Sequence, residues 1–368
     1  MKIKLPLSKI LLLLCLILLL GTSAYCKNKT AIDINTPDAN GWTPLGSAIK
    51  KGDTNLARLL IEQGADVNRE SIDYYRDNPI VKRTPLMLAC YKGNADLVSF
   101  LIQHGARVNE KSDDTVENTP IIYATMATET EDILKILKTL ITSGANINVA
   151  NKWGYTPLMH ALIATENIYC DPYEDFTNKR TSIQTETVKI LLDSGANVNA
   201  TRDIGSTALM AAVENASQDN HLDLIKTLLD KGADVNATTN IGETALLEAS
   251  LKKNPKIAKL LIDRGANVNA KTKDGNTALL TAAFYENLEI VKLLIDRGAD
   301  VNVTSKTYFG YTPLMNAVVT GNLDMVQFLL EHGVEINAKT SSGSTALILA
   351  KKRNRIDIVE ELIRHGAI

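Results

Sequence analysis

The stretch Leu288–Asn302, LEIVKLLIDRGADVN, decides how this chain folds. Apolar residues recur in it at helical spacing, with Ile290, Val291, Leu294 and Ile295 on one broad face. Gly298 stops that helix, because only glycine adopts the left-handed conformation of a helix end without strain. The closing pentapeptide GADVN is repeated unchanged at Gly64–Asn68 and Gly232–Asn236, with variants at Gly105, Gly144, Gly195, Gly265 and Gly333. A short loop with a glycine, a carboxylate and an amide is either a binding site written eight times or a structural joint.

The arithmetic favours a joint. A threonine followed two residues later by Leu or Ile occurs at Thr43, Thr84, Thr119, Thr156, Thr207, Thr244, Thr277, Thr312 and Thr345. The spacings are 41, 35, 37, 51, 37, 33, 35 and 33 residues, so the unit is 33 and the rest is insertion. From Thr to the following Gly the distance is 21 in six units. From that Gly to the next Thr it is 12, 14 or, once, 20. Two blocks of fixed length with two tolerant joints describe paired helices with surface connections.

The first block reads TPLGSAIKKG at 43–52 and TPLMNAVVTG at 312–321. Threonine suits an N-cap and proline the first helical position, whose N–H would be unpaired in any case. Five residues after each Thr stands Ala, from Ala48 to Ala350, nine times of nine. A small side chain demanded at one helical position implies a close neighbour. Gly52, Gly93, Gly321 and Asn354 then suit a positive-φ turn. Four residues before each closing Gly is Leu, from Leu60 to Leu362, again nine times. In the pentapeptide only the Asp is replaceable, by Asn146, Asn197, Asn267, Arg107 and Glu335. The Asn is kept eight times of eight and suits hydrogen bonding to the turn that starts the next loop. A ligand site would hold its charge and vary its packing; this segment does the reverse. His104, His332 and His365 precede the closing Gly and face a helix C-terminus, without other metal ligands beside them.

These residues resemble the ankyrin repeat: Gly-x-Thr-Pro-Leu, then Ala, then Leu-Leu, then Gly-Ala-Asp-Val-Asn, at period 33. The resemblance covers 41–368, and AIDINTPDANG at 31–41 looks like the tail of a further unit. It implies an all-α repeat solenoid of nine helix-turn-helix units joined by hairpin-like loops, binding proteins along a concave side. The expected organisation is a signal peptide at 1–24, a lead-in at 25–40 and the repeats at 41–368, with insertions near 69–83 and 164–184. The family's His after Thr-Pro-Leu is missing throughout; Gly46, Met87, Ile122, Met159, Met210, Leu247, Leu280, Met315 and Ile348 stand there, and apolar packing is expected to replace its hydrogen bond. Glu361 and Lys351 stand where the other units are mostly apolar, as expected of an uncovered, capping last repeat and an array complete at Ile368.

Partner contacts are expected at positions the repeat does not fix. These are Trp42, Tyr155 and Tyr311 before the Thr; Tyr74, Tyr75, Trp153, Tyr308 and Phe309 in the loops; and Tyr91, Phe284 and Tyr285 at the end of the first helix. Exposed aromatics are common interface anchors, though any of these could pack between adjacent loops instead. One of the two insertions is expected to contribute to partner choice.

Other classes fare worse. With 40 basic and 42 acidic residues the chain has no excess to follow a phosphate backbone, so no nucleic-acid partner is expected. There is no Gly-rich phosphate loop, HExxH, Cys-x-x-Cys or nucleophile elbow, so neither an enzyme, nor a small-molecule substrate, nor a cofactor or metal is expected. The carboxylates Asp171, Glu174 and Asp175 are read as a solvated loop. Lys2, Lys4 and Lys9, the apolar run Ile10–Leu20 and the small residues Gly21–Ala24 have the layout of a secretory leader. Its loss would leave 37 bases against 42 acids, a charge of −5. An uncleaved membrane anchor is the alternative. Cys26, Cys90 and Cys170 would remain, with Cys90 at a core position. Sequons at Asn199, Asn236 and Asn302 fall on the joint itself, which favours a bacterial exported protein, periplasmic or secreted. A monomer is expected.

Overall fold

The computed structural model describes residues 33–75, 78–113, 116–127, 132–163, 180–216, 221–306 and 310–368. The proposed leader, Cys26, Cys170, the Asp171–Asp175 carboxylates, Tyr308 and Phe309 lie outside the described residues. The repeats expected as one run over 41–368 fall into two compact units, Met1–Ala145 and Asn146–Ile368.

The first unit contains α1 (Pro44–Lys50), α2 (Thr54–Glu62), β1 (Ser71–Tyr75), β2 (Asn78–Arg83), α3 (Pro85–Tyr91), α4 (Ala95–Gln103), α5 (Pro120–Met126) and α6 (Asp132–Thr142). The second contains α7 (Pro157–Leu162), α8 (Arg180–Asp193), α9 (Ala208–Glu214), α10 (His221–Asp230), α11 (Ala245–Leu251), α12 (Pro255–Asp263), α13 (Ala278–Phe284), α14 (Leu288–Asp296), α15 (Pro313–Thr320), α16 (Leu323–Glu331), α17 (Ala346–Lys352) and α18 (Ile356–Arg364). Each repeat is a short first helix against a longer second one, which makes the fold an all-α repeat solenoid.

Local chemistry explains the starts and stops. Eight of the nine threonines accept the N–H three residues on, at 3.0–3.4 Å. Thr119 is the exception; its buried hydroxyl has no partner among the described residues. At the far end of α2, Gly64 N–H donates to the Ile61 carbonyl and Ala65 N–H to that of Leu60, both at 3.0 Å, while Gly64 sits at φ +90°. This pair of bonds satisfies the last free carbonyls and folds the Ala back onto the Leu. It therefore accounts for the fixed spacing of Leu, Gly and Ala. The nine Leu are at most 2% exposed and the nine Ala at most 7%, so both mark helix contacts. Each buried Leu stabilises the stack by about 1.5–3 kcal/mol. Cys90 is fully buried in the same core.

The asparagine of the pentapeptide reaches further than its own turn. In the first unit Asn68 and Asn109 donate through Nδ2 to the Gly105 and Gly144 carbonyls, at 3.1 and 2.9 Å. In the second unit Asn148, Asn199, Asn236, Asn269, Asn302 and Asn337 do the same to the next repeat's glycine, at 2.9–3.5 Å. The Oδ1 of these six accepts the backbone N–H two residues beyond that glycine, at 2.7–2.9 Å. Each amide is thus a rung between neighbouring repeats. Asn35, in the lead-in, accepts from Asp66 N–H at 2.7 Å in the same way, as the tail of a further unit should. The Asp position acts within its own turn. Asp66, Asn146, Asn197, Asp234, Asn267 and Asp300 accept the N–H two residues on, at 2.9–3.0 Å. One side-chain oxygen suffices, which is why Asp and Asn interchange.

The first insertion is folded, while residues 164–179 of the second lie outside the described residues. The first is an antiparallel hairpin pairing Ser71 with Arg83, Ile72 with Lys82 and Asp73 with Val81. The register then shifts so that Tyr75 faces Asn78, which places Pro79, lacking an N–H, in the irregularity. Ile72 N–H bonds the Gly41 carbonyl on one side, and Lys82 bridges to Asp113 on the other. The end of the second insertion extends α8 to 14 residues, and Gln184 caps the α7 carbonyl of Ala161 at 2.8 Å.

At the last repeat the expected mark of an uncovered side is corrected. Glu361 is buried, with Arg364 Nη1 donating to it at 2.6 Å. Ile356 and Ile363 instead stand more than half exposed, while Lys351 is exposed as expected.

Candidate functional site

In the second unit the loops before each first helix bond one another edge to edge. Asn240 N–H donates to Ile204, Lys273 to Ile241 and Lys306 to Asp274, at 2.9, 2.9 and 2.7 Å. Close contact demands glycine behind each tip: at Gly205, φ +80°, a Cβ would stand 2.9 Å from the Asn240 nitrogen. Ile204 and Ile241 crown two adjacent tips, each more than half exposed. The sequence reading, centred on aromatics, missed them. Their signal was available, since Trp153 and Phe309 hold the same place before the loop glycine.

Beneath the loops the first helices of three repeats form a cleft of about 180 Å³. Leu247 and Leu280 are nearly buried in its floor, and Leu251, Phe284 and Tyr285 rise at one end, more than a third exposed. Tyr311, from a loop, also lines it. The Phe284 and Tyr285 rings meet edge to face at 5.1 Å, and Lys253 Nζ stands 6.0 Å from the Tyr285 centroid. The fourth position after Thr supplies the polar groups, Thr281 and Asn316. Sister repeats vary there, with Ser47, Leu88, Tyr123, His160, Ala211, Glu248 and Leu349, a variability that the sequence reading did not use. Asn276 Nδ2 donates to Thr281 Oγ1 at 3.1 Å. Glu243 lines the cleft, and its charge is felt by Glu248. Burial, then the charges of Glu214 and Glu243, push the Glu248 carboxyl above its usual range against the pull of Lys252.

The structure thus brings together three of the expected contact residues: Phe284, Tyr285 and Tyr311. The others are dispersed. Trp42 was expected at the surface but is only 7% exposed. Its N–H is tied to Asp38 at 2.9 Å and Lys50 Nζ covers its ring at 4.0 Å, so it packs as part of the first repeat. Half-buried Tyr91 stands edge-on to Tyr123 at 6.4 Å, with the Arg83 guanidinium 5.4 Å from its centroid. Tyr155 is half-buried too; Arg202, from the next loop, donates to its hydroxyl and lies 5.1 Å from its ring. Trp153 is half-buried, its N–H bonded to Asn151 at 3.1 Å. Tyr74 and Tyr75 lie on β1.

The three histidines serve the helix ends. The Nδ1–H of His104, His332 and His365 donates to the carbonyl four residues back, at 2.8, 2.7 and 3.0 Å. Among the described residues no group of His, Cys, Asp and Glu is placed to hold a metal ion, and no helix is long and apolar enough to cross a membrane. Burial pushes the Cys90 thiol far above the range of a reactive thiol.

Family models agree with this architecture. A model described as ankyrin repeats (3 copies) matches residues 71–149, 179–239 and 215–305. One described as ankyrin repeats (many copies) matches 294–350, and one for the single ankyrin repeat matches 40–72, 153–203 and 342–368. Among curated proteins the chain is similar to ankyrin repeat and SOCS box protein 6 of Homo sapiens, 28% identical over 172 residues, which are 47% of this chain and 27% of that protein. The Pongo abelii protein of the same name is 31% identical over 88 residues, 24% of this chain and 18% of its own length. The matched region is thus about a quarter of the human relative's length.

Proposed function

The chain belongs to the ankyrin-repeat family, whose repeats are protein-interaction modules, and from that premise we propose that it is a non-enzymatic scaffold. It grips a protein partner along the first-helix face and the loop tips. One observation carries this reading: Ile204, Ile241, Leu251, Phe284 and Tyr285 stand exposed in the second unit, off the surfaces that stack the repeats. Clustered exposed apolar groups of this kind are typical of interaction surfaces. The scaffold acts as a monomer, without cofactor or metal, on neither nucleic acid nor small-molecule substrate.

The compartment belongs to the same proposal: export by the 1–24 leader to a bacterial periplasm or medium, with retention of the leader as an anchor the alternative. The rungs support a setting without N-glycosylation. In the sequons the Nδ2 atoms of Asn199, Asn236 and Asn302 already donate to a neighbouring glycine, so a glycan there would cost a bond between repeats.

The test is crosslinked affinity capture from the native envelope fraction with the chain and with an Ile204→Asp, Ile241→Asp, Phe284→Asp variant. A partner enriched by the first and lost from the second supports the scaffold. Equal recovery by both refutes the assigned surface. Carbonate extraction of the same fraction separates a released protein from an anchored one, and light scattering reads its oligomeric state.

A further inference from the structure

Asn316 is the least expected residue of the cleft. It is 5% exposed, and its Nδ2 donates to the Leu280 carbonyl at 3.3 Å. Its Oδ1 is buried without a partner among the described residues. A buried acceptor left unpaired is costly, which makes it a place where a ligand's donor gains more than at the surface. Glu243, on the same cleft, offers a second acceptor; among the described residues its carboxylate receives only the long 3.4 Å bond from Thr239 Oγ1. The same cleft is lined by the apolar Leu247 and Leu280 and by the Phe284 and Tyr285 rings.

That combination selects one kind of occupant. An aliphatic or aromatic side chain would fill the floor and leave the Asn316 acceptor unpaired. An acidic one would face Glu243. A long side chain with an apolar stem and a cationic, multiply donating head satisfies every group. We propose that this cleft takes a single arginine or lysine side chain of the protein partner. Its stem lies on Leu247 and Leu280, and its head lies against Tyr285 while donating to Asn316 Oδ1 and Glu243. The Glu248 carboxyl, raised first by burial and then by the charges of Glu214 and Glu243, agrees with this, since an arriving cation offsets that negative charge. Arginine, with five donors and a planar face, fits the aromatic wall better than lysine.

This inference rests on the scaffold reading and deepens it by naming the side chain recognised. The full chain is panned against a displayed library of random dodecapeptides, and the enriched peptides are titrated by fluorescence polarisation. Enrichment of Arg or Lys at one fixed position is expected, with the Kd weakened at least tenfold by Asn316→Leu and by Glu243→Gln. Both variants are to melt within a few degrees of the parent. Peptides without an invariant basic residue overturn the proposal, as do basic peptides indifferent to both substitutions. If peptides bind but only Ile204→Asp or Ile241→Asp weakens them, the cleft assignment fails and the scaffold stands. A chain that retains no peptide and captures no partner loses both.

Discussion

The residue that follows Thr-Pro-Leu or Thr-Ala-Leu has opposite fates in the first repeat of one unit and in two repeats of the other. In the first repeat it is Gly46, and the space is occupied from within. Ser71, fully buried at the start of β1, bonds Thr43 Oγ1 at 2.8 Å and accepts from Thr43 N–H at 3.2 Å. A Cβ on Gly46 would stand 2.0 Å from Ser71 Oγ. In the sixth and seventh repeats the same position holds Leu247 and Leu280, and the space above them is the open cleft. The expectation that apolar packing replaces the family's Thr–His bond therefore holds for those repeats and fails for the first, where the hairpin restores a polar bond. The space at this position is filled by the following joint where that joint is long and is left as a cleft where it is short.

The sharpest way to break this comparison is Gly46→Leu, which gives the first repeat the side chain of the seventh. The leucine competes with Ser71 for one volume, so the loss is about 3 kcal/mol in urea unfolding. Shortening the joint to the 14 residues of the seventh repeat in the same variant recovers most of it. If the single substitution is neutral, Ser71 does not fill that space.

Two effects of about 1–2 kcal/mol follow. Asn236→Ala removes a rung of two hydrogen bonds in an otherwise regular stretch, and chemical denaturation should show that loss. His160, half-buried at the fourth position after its threonine, has its pKa lowered to about 4 by burial, and its Nε2 accepts from Asn151 at 3.4 Å. The folded state therefore holds it neutral, while the unfolded chain takes up the proton near pH 6.5. Stability should fall as pH drops from about 6.5 to about 4 and not change further below through this group, by about 1–2 kcal/mol once partial exposure is discounted. His160→Leu, matching Leu88 and Leu349, should flatten that part of the melting-temperature profile.

The smallest expected effect is a gain. Lys253 and Glu286 adopt φ +56° and +60°, where sister repeats use Gly52 and Gly321. Replacing either by Gly relieves left-handed strain and should stabilise by about 0.5–1 kcal/mol, after the entropy cost of glycine. A lowered melting temperature in both variants would contradict this.

Most of the fold was legible because it is local chemistry repeated. Thr, Pro, Ala, Leu and Gly each meet a need set within a few residues, and nine copies average out exceptions such as Thr119. The hairpin was less visible, although Ile72, Tyr74, Ile80 and Val81 favour strands, because its length read as a plain insertion. The contact residues were legible only in part. Exposure depends on neighbouring repeats, and Trp42 is buried by Asp38 and Lys50, which no aromatic count reveals. Asn316 escaped because a polar residue on a helix face looks solvated until its neighbours are known.

The asparagine rungs also set how the molecule would respond to force. Each joins only adjacent repeats, so a load applied to the ends of the second unit passes through its rungs in series. The weakest contact parts alone, and its 33-residue repeat releases about 110 Å of chain before the next is loaded. Stretching should give a train of small, nearly equal steps, with Asn236→Ala bringing one of them to lower force. A scaffold built this way yields by increments and keeps the remaining repeats folded.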